Sequence, residues 1–114
     1  MNPDIIKYLE DIKLSIGDIE DFVSDIKTSY QYKNDIKTKS AVERKLAIIG
    51  EALNKIKKID SSLSITNMIK IIGLRHILIH DYDIINSETI WQIVIKHLPL
   101  LKIEVELILK SLEE

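Results

Sequence analysis

Apolar residues recur along this chain at alternating intervals of four and three. In the first stretch Ile5, Leu9, Ile12, Ile16, Ile19, Val23 and Ile26 fall on one stripe, with acids and lysines on the other faces, the pattern of an amphipathic helix. Pro3 suits a first helical turn and Asn2 suits the cap before it, so a helix is predicted over about residues 3–28. Residues 29–39 lose the period and read as a connection. Ser40-Ala-Val-Glu43 has the form of a capping box, and the stripe Val42, Leu46, Ile49, Leu53 and Ile56 follows it, predicting a second helix over about 41–59. Ser64 suits the cap of a third, over about 65–80. After a short connection, Trp91, Val94, Leu98, Leu101, Val105, Ile108 and Leu112 predict a fourth over about 88–112, with a kink near Pro99. No alternating strand pattern intervenes. The expected fold is all-α, an antiparallel four-helix bundle.

With 114 residues, one domain over 1–114 is expected, and its modest core makes self-association a natural supplement. The absence of cysteine excludes disulfides, thiolate metal sites and a cysteine nucleophile. No apolar run reaches the length of a membrane span, and the acidic first residues do not resemble a signal peptide, so a cytoplasmic location is expected. A formal charge of −2 offers no general attraction to nucleic acid. The cations are unevenly chosen, however: 14 are lysine and only two, Arg44 and Arg75, are arginine. Codon bias would explain the scarcity; a need for a planar, multi-donor group at those two places would explain the survivors.

Arg75, His76, His80 and Tyr82 crowd into eight residues of a strongly apolar segment. Ionisable groups in such a helix must be paired or face a cleft. Singly, each has an ordinary structural explanation: an ion pair for Arg75, a satisfied helix-end histidine for His80, a helix-closing ring for Tyr82. His76 and His80 stand four apart, as helical metal ligands do, but no third ligand lies nearby in the sequence. On an ideal wheel Arg75 and His80 are about 140° apart, too far for direct contact on one helix. Either the helix deforms near its end or the two residues meet across two copies of the segment. On the second helix, Arg44, Ala47 and Glu51 lie about 140–200° from the core stripe, on a face that is either solvated or lines a cleft between two copies, and Gly50 beside them would admit another helix closely.

Arg75-x4-His80-x-Tyr82, together with Ala41-Val-Glu-Arg44, Ile48-Ile-Gly-Glu-Ala52, Ile90-Trp91-Gln-Ile-Val and Leu98-Pro-Leu-Leu-Lys102, resembles the HepT-like toxins of the HEPN superfamily. The similarity runs in register from about residue 4 to about 112. It implies a homodimeric, metal-independent endoribonuclease without a cofactor, acting as the toxin of a toxin–antitoxin pair. In it His80 would act on the RNA 2′-hydroxyl and Arg75 on the phosphate, at a composite site between subunits. Arg44, Glu51 and His76 become candidate supporting residues. The resemblance also implies a partner, an MntA-type nucleotidyltransferase antitoxin that silences the toxin by adenylylating Tyr82. Two positions depart from the common pattern: His76, where many members have Asn, and Ala47, where many have an acidic or polar residue. If the second departure is disabling, the implied role is a non-catalytic subunit that presents nucleotide to the nucleotidyltransferase.

Overall fold

The structure is a computed structural model that describes residues 1–80 and 86–113, and the side chains of all of these except Ile79 and His80. Every regular element among the described residues is helical, and together they form the expected all-α bundle. In chain order these are α1 (Pro3–Phe22), α2 (Ser29–Lys33), α3 (Ile36–Ile59), α4 (Met68–His80), α5 (Ser87–Gln92), a π-helical turn (Ile93–His97) and α6 (Leu98–Ser111).

The boundaries show which local bonds win. Asn2 caps α1 as expected, its Oδ1 accepting from the Asp4 N–H at 2.7 Å, with Pro3 in the first turn. The helix stops at Phe22 instead of near 28; irregular residues 23–28 follow, and a new helix begins at Ser29. Thr28 Oγ1 accepts from the Gln31 N–H, while the Gln31 side chain accepts from the Lys27 N–H. This reciprocal pair opens α2 inside the expected connection. Val23 and Ile26 leave the helix but still pack against the core. The second predicted helix begins earlier than 41, at Ile36. Asp35 is its cap, with one carboxylate oxygen on the Thr38 N–H at 3.0 Å and the other on the Thr38 hydroxyl at 2.8 Å. Ser40 therefore lies within the helix, because Asp35 has already satisfied the free end one turn upstream.

The third helix begins later than 65. Thr66 donates from both its N–H and its hydroxyl to Glu104 of α6, and Asn67 then takes a left-handed conformation, φ 64°. Asn is among the few non-glycine residues that tolerate this. Ser64 caps nothing there, since a bond to another helix outweighs the local one. Asn86 caps α5 through the Glu88 and Thr89 N–H groups, so Ser87 is the first helical residue. The kink expected near Pro99 takes the form of the π turn. The proline ring cannot sit against the carbonyl four residues back, and the Leu98 N–H reaches instead to the Ile93 carbonyl, five back.

Packing follows the stripes. Asp18 pairs with Lys45 and Tyr8 lies against Lys55, so α1 and α3 run antiparallel. Leu9, Ile12, Ile16 and Ile19 of α1 are buried together with Leu46, Ile49, Leu53 and Ile56 of α3. Ile71, Leu74 and Leu78 of α4 and Trp91, Leu98, Leu101 and Val105 of the last helices join the same cluster. Tyr32 of α2 is buried and stacks on Trp91 with ring centroids 5.4 Å apart. No helix among the described residues is long and apolar enough to cross a membrane.

Candidate active site

α3 and α4 approach closely at Gly50. A β-carbon there would stand 2.6 Å from Arg75 Cβ and 3.1 Å from the Ile71 carbonyl oxygen, so only glycine lets the helices meet at this level. The close approach expected of Gly50 is thus directed at the motif arginine. One residue further along α3, Glu51 reaches the guanidinium: Arg75 Nη2 lies 2.5 Å from Glu51 Oε2. Both side chains keep about a third of their surface in solvent. Arg75 Nε is buried and has no acceptor among the described residues.

This pair lines a cleft of about 330 Å³ between α1, α3 and α4. Arg44, Ala47, Glu51 and Lys55 descend one face of α3 along its floor. This face was expected to be either solvated or part of a cleft between two copies; it lines a cleft that one chain makes by itself. From α1 come Lys7, Tyr8 and Asp11. Four cations and two carboxylates therefore line it, a positive excess in a chain of formal charge −2.

Sequence reasoning placed Arg44, Glu51 and Arg75 together and missed Lys7, Tyr8 and Lys55. The signal for Lys55 was available, since Arg44, Ile48, Glu51 and Lys55 follow the helical spacing of four, three and four. Lys7 and Tyr8 required knowing that α1 runs against the far end of α3. Ala47 contributes no carboxylate, but Glu51 one turn later supplies one to Arg75.

His76 is exposed on α4. The His80 backbone ends that helix, while its side chain, and Tyr82 altogether, lie outside the described residues. The α4 backbone is α-helical from Met68 through His80, so the deformation that would bring His80 round to Arg75 does not occur within the helix. Among the described residues no three His, Asp or Glu side chains converge as a metal site requires.

Comparison with known proteins adds a family. Residues 12–108 match the family model described as "Ribonuclease HepT-like". Three relatives come from Methanocaldococcus jannaschii. "Putative RNase MJ0127" is 37% identical over 113 residues, covering 96% of this chain and 91% of the relative. "Putative RNase MJ0125" is 36% identical over 112 residues, 97% and 96% of the two chains. "Putative RNase MJ1380" is 36% identical over 107 residues, 92% and 96%. No solved structure matches.

Proposed function

Because the chain belongs to the HepT-like ribonuclease family, we propose that it is a metal-independent endoribonuclease whose reacting groups are His80 and Arg75. The 2′-oxygen of RNA attacks the adjacent phosphorus and the bond to the 5′-oxygen breaks. Imidazole, with an ordinary pKa near neutrality, is suited to take the 2′-proton and return one to the leaving oxygen. The charge that grows on the phosphate suits a guanidinium, which meets two oxygens at once where an ammonium meets one. The observation that carries this reading is Arg75 itself: pinned at Gly50, oriented by Glu51, and opening onto a cleft with surplus positive charge.

The regular backbone of α4 supports a site shared between two copies. Five residues along an unbroken helix leave Arg75 and His80 on different faces, so the arginine of one copy would serve the histidine of the other. The biological role follows the family resemblance: a toxin restrained by an MntA-type nucleotidyltransferase that adenylylates Tyr82. Negatively charged AMP two residues from His80 would repel an RNA phosphate and fill its path.

The test is an RNA pool offered to purified protein in the presence of a chelator, alongside His80→Ala and Arg75→Ala. Cleavage is expected from the parent alone. Cleavage by either variant at the parent's rate would remove that residue from the mechanism, and no cleavage by any of the three would favour a nucleotide-presenting subunit. For the modification, co-expression with the nucleotidyltransferase should add AMP to the intact mass, and Tyr82→Phe should abolish the addition.

A further inference from the structure

The motif accounts for Arg75 in the cleft and leaves the residues contributed by α1 without a role. There, two ammonium groups are arranged about one aromatic ring: Lys7 Nζ lies 5.8 Å and Lys55 Nζ 5.5 Å from the Tyr8 ring centroid. Tyr8 is half-buried and packs against the core, so the ring is a fixed element, and cations over an aromatic face are held there by its quadrupole. The two lysines come from helices far apart in sequence and are brought together only by the antiparallel pairing of α1 with α3. Each shares a carboxylate in the free chain: Lys7 with Asp11 at 3.0 Å and Lys55 with Glu51 at 3.8 Å. Pairs this exposed are weak, so a phosphate group can take over either cation. Glu51 also holds Arg75, which makes the lysine pair and the motif arginine parts of one charge network along the cleft.

We propose that Lys7 and Lys55, held against Tyr8, form a subsite for backbone phosphates of single-stranded RNA next to the phosphate engaged by Arg75. The inference rests on the ribonuclease reading and extends it from the cleaved bond to the strand beside it. A strand is favoured over a lone phosphate because Arg44, Arg75, Lys55 and Lys7 all line the one cleft, more cations than a single phosphate engages. The subsite acts on binding, so its signature belongs in affinity, salt dependence and KM more than in kcat.

Binding is measured with a fluorescent single-stranded oligonucleotide on the His80→Ala background, which separates capture from cleavage. Lys7→Ala combined with Lys55→Ala is expected to weaken binding about tenfold near physiological salt and to flatten the slope of log K against log salt by about 1.4, two phosphates at ~0.7 each. Tyr8→Leu, which keeps an apolar side chain but removes the ring, should weaken binding in the same direction. Lys13→Ala, an exposed lysine on α1 outside the cleft, serves as the control for loss of one surface charge. In the active protein the double lysine variant should raise KM more than it lowers kcat, with the effect shrinking as the RNA is shortened to a dinucleotide. Thermal melting confirms that each variant is folded. Parental affinity and slope in the double variant, with RNA still cleaved by the active protein, would overturn the subsite alone. Failure of the parent to bind or cleave RNA would overturn both the subsite and the ribonuclease reading.

Discussion

A methyl group on Gly50 has nowhere to go: it would meet Arg75 Cβ and the Ile71 carbonyl where α3 and α4 approach closely. Gly50→Ala is therefore expected to cost about 1–3 kcal/mol, the range for overpacking, as read from urea denaturation. Activity should fall along with stability, because Arg75 moves with the displaced helix. Tyr32 offers a different test. Burial, reinforced by the Glu43 carboxylate, pushes its phenol well above the ordinary value near 10, and the hydroxyl has no partner among the described residues. The folded state keeps the proton while the unfolded chain releases it above about pH 10, so stability is complete below that pH and declines as pH rises beyond it. Tyr32→Phe should remove this part of the alkaline decline, seen as a gap between the two proteins' melting temperatures that narrows or reverses above pH 10. A constant gap from pH 8 to 11 would contradict the assignment.

At the level of elements, Asp35 begins α3. Bonds to the Thr38 N–H and hydroxyl hold its carboxyl below the usual range, so its stabilising effect is present above the unfolded value near 3.9 and is lost as pH falls through the lower folded value. Asp35→Ala should melt below the parent at pH 7, and the two should converge in strong acid; a difference unchanged at pH 2 would mean the cap acts otherwise. The same cap shows what could be read beforehand. The heptad stripes identified the first, second and last long helices and their core positions, because burial on one face leaves a periodic trace; buried Tyr32 and the α4 core positions Ile71, Leu74 and Leu78 lay outside those stripes. Helix ends left a weaker trace: Ser40-x-x-Glu43 and Asp35-x-x-Thr38 are both plausible caps, and only the upstream one can act once the helix has started. The start of α4 left none, since it is set by Glu104, 38 residues away. In the cleft, Arg44, Glu51 and Arg75 were legible from one helix face and one motif. Lys7 and Tyr8 were not, because their neighbours depend on how α1 is laid against α3.

For the whole molecule, the proposal that Arg75 of one copy serves His80 of another has a numerical consequence. Mixing Arg75→Ala with His80→Ala protein and allowing subunits to exchange would make half the dimers mixed, each with one of its two sites intact. About a quarter of parental activity is then expected in a two-fold dimer, whereas no recovery would place the working pair within one chain. The π turn before Pro99 has a wider reach than its five residues suggest. Carrying one residue more than an α turn, it rotates everything beyond it by about 100° relative to an uninterrupted helix. In that rotated phase Glu104 faces Thr66, two residues before α4. A surplus residue near the other end of the chain thus selects which face of α6 meets the segment that leads into the motif helix, as a vernier sets a dial it does not touch.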